Sequence, residues 1–212
     1  MLFRSQRTAW LEADLGTVYE REGDSARAMK VTQDALRIIS DRLSPDHFQV
    51  GYVMDAVAKL DLDNGNLDAA ESTARQVLKI YDKSLPPRHL YVAATRHLLG
   101  EVLLRGGQLP AAEAELRAAL DIDLSSAGPG DWRAARTEAS LGWLLIAEGN
   151  SAEGEHMLVA ARSKLLKTVG PLHPEVELAT KRLAEYYRAH HREAEAERVV
   201  GELKPPAASV LR

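Results

Sequence analysis

The side chains with the widest chemical range in this sequence are its seven histidines, at positions 47, 89, 97, 156, 173, 190 and 191. An imidazole can ligate a metal, carry a proton or accept a hydrogen bond from a helix start. His47, His89 and His173 each follow a proline: Ser44-Pro45-Asp46-His47, Pro86-Pro87-Arg88-His89 and Gly170-Pro171-Leu172-His173-Pro174. Their spacings are 89 − 47 = 42 and 173 − 89 = 84, twice 42. Side chains a full structural repeat apart do not converge on one ion, so these three are read as hydrogen-bonding at helix starts. His190 and His191 are adjacent, and no pattern nearby supplies further ligands. Glu113 and Glu115, and Glu193, Glu195 and Glu197, have the spacing of solvated helix faces rather than of a catalytic acid–base pair.

Other chemistries lack their motifs. There is no Walker loop, no G-x-G-x-x-G, no H-E-x-x-H, no S-x-x-K and no G-x-S-x-G. Gly128-Pro129-Gly130 reads as a linker, not as a phosphate cradle. The absence of cysteine removes disulfides, thiolate metal sites and cysteine nucleophiles. The expectation is a non-enzymatic chain with no catalytic residue, no cofactor and no metal.

Charge narrows the partners. With 27 basic and 31 acidic residues the net charge is −4, which disfavours nucleic acid and a polybasic membrane patch. No apolar run reaches the ~18 residues that span a bilayer, and no secretory signal is visible. We therefore expect a cytoplasmic chain that does not insert into membranes and takes another protein or peptide as its partner. Aromatics make up only 5% of the residues while Ala and Leu abound, which points to an all-α fold.

The elements that position these residues repeat. Gly23, Gly65, Gly107 and Gly149 are 42 apart (65 − 23 = 107 − 65 = 149 − 107), and the next step falls on His191. Three further columns keep the register. They are Leu15, Val57, Leu99, Leu141 and Leu183, each followed by Gly or Ala; Ala28, Ala70, Ala112, Gly154 and Ala196; and Pro45, Pro87, Pro129 and Pro171. Glycine reverses the chain between two helices, because it adopts positive φ without strain. Small residues let the two helices approach, and proline separates one hairpin from the next. Helix A is predicted at 8–22, 46–63, 88–105, 131–148 and 174–189, and helix B at 24–42, 66–84, 108–125, 150–168 and 192–203.

Leu15-Gly16-Thr17-Val18-Tyr19, followed by Gly23, Ala28, Ala35 and the linker proline, resembles the L-G-x-x-Y pattern of tetratricopeptide repeats. The 42-residue period with its Pro-x-His linker resembles the longer repeats of kinesin light chains. Similar arrays occur at the C-termini of bacterial serine/threonine protein kinases. The resemblance covers about residues 8–203. It implies a right-handed α-solenoid of five antiparallel hairpins, with repeats at 8–44, 45–86, 87–128, 129–170 and 171–203. HEAT and armadillo repeats have a comparable period but lack these columns.

The array is expected over 6–203, with a disordered tail over 204–212. Met1-Leu2-Phe3-Arg4-Ser5 matches a translated sequencing adapter, so 1–5 are read as a non-native leader and the chain as the C-terminal piece of a longer protein. Asp61 breaks the apolar column Tyr19, Leu103, Leu145 and Tyr187; Leu60 and Leu62 are expected to take over its packing.

The resemblance implies a scaffold that holds a peptide or protein segment along the concave face lined by the A helices. The alternative is the regulatory or docking end of a truncated kinase or signalling regulator. Groove candidates are Tyr52, Asp55, Lys59, His97, Glu101, Arg105, Arg136, Trp143, Lys181 and Glu185. Trp143 is the odd member, because its column otherwise reads Thr17, Lys59, Glu101 and Glu185. A monomer is expected.

Overall fold

A computed structural model describes residues 15, 16, 18, 19, 22–128 and 130–203. The expectations placed on 1–5, on 204–212 and on Pro129 lie outside the described residues. Among the described residues the chain forms nine helices and no strand. They are α1 (Ser25–Ser40), α2 (Phe48–Asp63), α3 (Leu67–Ser84), α4 (Leu90–Arg105), α5 (Leu109–Ala127), α6 (Trp132–Ala147), α7 (Ser151–Val169), α8 (Pro174–Ala189) and α9 (Glu193–Gly201). Leu15-Gly16 and Val18-Tyr19 are also helical. Every boundary of these nine helices lies within two residues of the periodic reading, while the start of the first helix A, expected at residue 8, lies outside the described residues.

The chain divides into two compact units, residues 1–122 and 123–212. The first is built on Val53, Val77, Tyr81, Ala93 and their neighbours, with Phe48, Tyr52 and Met54 packed at the edges. The second is one core that includes Leu158, Leu165, Val176, Leu183, Tyr187 and Val199. Fully burying one such aliphatic side chain is worth about 1.5–3 kcal/mol, so these columns dominate the stability.

Within each hairpin the small-residue columns set the helix separation. A Cβ on Gly142 would lie 2.8 Å from the Leu158 nitrogen and 3.0 Å from the Gly154 carbonyl oxygen. One on Gly154 would lie 2.6 Å from the Gly142 carbonyl oxygen. The backbones of α6 and α7 therefore touch. The same column in the first unit meets side chains: a Cβ on Gly100 would come 2.6 Å from Leu116 Cγ.

The turn column has one backbone conformation. Gly23, Gly65, Gly107 and Gly149 have φ of 79°, 81°, 74° and 89°, and His191 takes the fifth turn at φ 58°. The left-handed region costs an L-residue of this kind about 1 kcal/mol or more.

The linker histidines cap the A helices. His47 Nδ1 accepts from the backbone N–H of Gln49 at 3.2 Å, His89 Nδ1 from Tyr91 at 3.1 Å and His173 Nδ1 from Glu175 at 3.3 Å. Asp131 holds the corresponding place in the remaining linker, its Oδ1 accepting from Arg133 N–H at 2.8 Å. An acceptor Nδ1 requires a neutral ring with its proton on Nε2. Asp61 is half-buried, and its Oδ1 accepts from Asn66 Nδ2 at 3.3 Å; Leu60 and Leu62 on either side are buried, as the column break implied.

Two substitutions test this account by denaturant unfolding. His89→Ala is expected to cost about 1 kcal/mol while His89→Asp retains the stability, because carboxylate and imidazole serve as alternative caps. His191→Gly is expected to raise stability by about 1 kcal/mol by relieving the left-handed strain.

Candidate functional site

Periodicity places the candidate groove residues on the A helices, and the structure shows what each side chain touches. In the first unit, Tyr52 on α2 packs against the core, with its ring centroid 5.5 Å from that of Tyr91 on α4. Asp55 Oδ1 accepts from Thr95 Oγ1 at 2.8 Å, again joining α2 to α4. Lys59 is exposed, and its Nζ lies 3.0 Å from Asp63 Oδ2. Arg105 is exposed, yet its Nη1 donates to the Leu62 carbonyl oxygen at 2.6 Å. That puts a cation at the C-terminal end of α2, where the helix dipole favours it.

His97 and Glu101, named as groove candidates, are not open to a partner. Both are buried, at 7% and 6% exposure. The physical reason is that α4 is enclosed on most faces: Val92, Leu98, Leu99, Val102, Leu103 and Leu104 are buried around its circumference.

In the second unit, Arg136 on α6 is half-buried with its guanidinium 5.5 Å from the Trp132 ring centroid. Trp143 is also half-buried and packs against the core rather than standing free. The Arg182 guanidinium of α8 sits 5.8 Å from its ring centroid, within cation–π range. Lys181 and Glu185, one turn apart on α8, are exposed. Trp143 thus presents part of an apolar ring, braced from beneath by the buried Arg182, beside the exposed Lys181 and Glu185.

Asp123 escaped the groove reading. Its column is Ile39, Tyr81, Asp123 and Leu165, and the other three are deep core residues. Asp123 is fully buried at 0% exposure; its Oδ2 accepts from Thr137 Oγ1 at 3.2 Å. Burial pushes its carboxyl above the ordinary carboxylate range, opposed by the nearby Arg136 charge and the Thr137 hydrogen bond. The signal was present in the sequence, as one acid in an apolar column spaced by 42.

The second unit also holds two ion-pair clusters. Arg192 Nη1 binds Glu155 Oε2 at 2.8 Å and lies over the Tyr187 ring. Hydrogen bonding to Arg192 holds the Glu155 carboxyl below its usual range, while burial pushes the Tyr186 and Tyr187 phenols up. Arg162, 5% exposed, donates to Thr180 Oγ1 at 2.6 Å, to the Val199 carbonyl at 2.8 Å and to Glu202 Oε2 at 2.6 Å. Among the described residues no three potential metal ligands come together, and no helix is long and apolar enough to cross a membrane.

Residues 52–125 match the family model described as tetratricopeptide repeat. No curated protein matches the chain. Among solved structures, the kinesin light chain TPR-like repeats of Podosopora anserina are 21% identical, with a TM-score of 0.66 over 94% of each chain. BtubC of P. vanneervenii is 19% identical, with a TM-score of 0.67 over 99% of this chain and 88% of that one. The Rap conjugation regulator of plasmid pLS20, in complex with the Phr* peptide, is 16% identical, with a TM-score of 0.75 over 92% of this chain and 52% of that one. At these identities the likeness is one of fold.

Asp123 generates a pH prediction. A carboxyl whose folded pKa is raised contributes stability that is fully present below its unfolded value, about 3.9, and lost as pH rises through the folded value. The stability of the wild type relative to Asp123→Asn should therefore fall as pH rises from about 4 toward neutrality. Urea midpoints across that range measure it; a difference that is flat or rises would refute the assignment.

Proposed function

We propose that this chain, which carries tetratricopeptide repeats, is a scaffold that holds an extended segment of another protein along its A helices. No catalytic role is assigned to it. The observation that carries this reading is the surface made by α6 and α8 in the second unit. Trp143 is half-buried, so one part of its ring is anchored in the core while another part remains accessible. Arg182 braces that ring, and the exposed Lys181 and Glu185 flank it. Aromatic and arginine side chains held rigidly in this way are the types that concentrate binding energy at interfaces. A partner would lay an apolar or aromatic side chain on Trp143 and bring an acidic group to the exposed Lys181.

The Rap neighbour is described with a bound peptide, and its likeness in fold lends weight to this reading. A second reading is that these repeats are the docking end of a larger signalling protein, with the same surface as the contact. Recovery of the source gene distinguishes the two: an upstream catalytic domain would favour the second.

The test uses a partner segment obtained by crosslinking the tagged full chain in a native extract. Trp143→Ala is expected to weaken binding of that segment by at least ~2 kcal/mol. Because the ring also packs against the core, its thermal midpoint must be measured in parallel. Lys181→Glu, at an exposed position, should weaken binding with an unchanged midpoint. Binding that survives both substitutions would reject this surface.

A further inference from the structure

We infer a second docking point outside the A-helix surface: a cleft between α3 and α4 of the first unit that accepts an aliphatic side chain adjacent to a carboxylate in a partner segment. The cleft has a volume of about 280 Å³. Leu78, Tyr81, Pro87 and Val92 supply apolar walls, and Lys79, Asp82 and Arg96 stand around them. Small-molecule sites run to roughly 300–1,000 Å³, so this volume suits a single side chain.

The repeat itself shows why the cleft is open. Positions 84 apart, two repeats, are structurally equivalent: Leu78 with Arg162 (162 − 78), Arg96 with Thr180 (180 − 96), Glu115 with Val199 (199 − 115) and Ala118 with Glu202 (202 − 118). In the later copy the Leu78 position is held by Arg162, bonded to Thr180, the Val199 carbonyl and Glu202. In the earlier copy Leu78 is too short to span the cleft. Arg96 turns instead to Glu115, 2.7 Å from its Nη1, and Ala118 carries no group that reaches in. One repeat before Arg96 stands Met54, which packs against both core clusters of the first unit and closes that position. The Leu78–Arg96 place is thus open where the copy two repeats later carries an arginine clamp.

The charges choose the occupant. Lys79 is exposed and makes no ion pair among the described residues, whereas Arg96 is already engaged by Glu115. A carboxylate next to the inserted side chain would neutralise Lys79. The Asp82 carboxylate, also exposed, suits a backbone N–H of an extended segment.

The experiment titrates the isotope-labelled full chain with acetyl-Gly-Leu-Glu-Gly-amide and follows the backbone amides by NMR. The proposal expects shifts centred on residues 78–82 and 87–96. Exchanging Leu for Ser or Glu for Lys in the probe should weaken them. Lys79→Glu, at an exposed position, should weaken the Glu probe by about fivefold, the scale of one exposed ion pair, and favour the Lys probe. No saturable shift at this cleft, shifts centred instead on Trp143 and Lys181, or an unaltered probe preference in Lys79→Glu would each overturn it. A result confined to the Trp143 surface would leave the proposed function standing and remove only this second site.

Discussion

The approach of two helix backbones inside each hairpin governs the rest of the molecule. At Gly142 and Gly154 the backbones of α6 and α7 are in contact, and any side chain at either place would have to push them apart. The fully buried Ala28, Ala70, Ala112 and Ala196 hold the equivalent place in other hairpins. That separation fixes how far each flanking leucine penetrates, so Leu99, Leu158, Leu165 and Leu183 can all be buried at 1% exposure or less. Packing at this density has little tolerance for added volume. The turn residues and caps then choose where helices stop and start around a distance already set.

Four columns spaced by 42 were enough to read the fold and its helix boundaries. That legibility has a physical basis. Glycine at positive φ, small residues at a crossing and proline at a linker are each nearly irreplaceable, so they mark their positions by type. The histidine caps were readable for the same reason, since each stands at a helix start behind a proline. The division of the chain near Ile122 was not readable, because α5 continues through it with no break in helical propensity.

The site was less legible than the fold. Surface position follows from helical phase, but engagement does not. Arg105 has the phase of a groove cation, yet it closes on a carbonyl of the preceding A helix, and Asp55 is met by a threonine hydroxyl. Trp143 stood out by type, but its packing against the core depends on neighbours from other repeats. Asp123 shows the complementary lesson. It was visible as an acid in an apolar column, and only its full burial reveals how far it departs from Ile39 and Leu165.

Arg162 has a bearing on how the second unit comes together in time. Helix α9 has nine residues, too few to persist alone in water, where isolated helices below ~12–15 residues are marginal. Its carbonyl at Val199 and its neighbouring Glu202 are held by a guanidinium that projects from α7 and is steadied by Thr180 of α8. The receiving surface must therefore exist before α9 can settle, so the segment orders last and opens first. Once it is seated, one side chain holds it at two points, so α9 leaves as a block rather than fraying residue by residue.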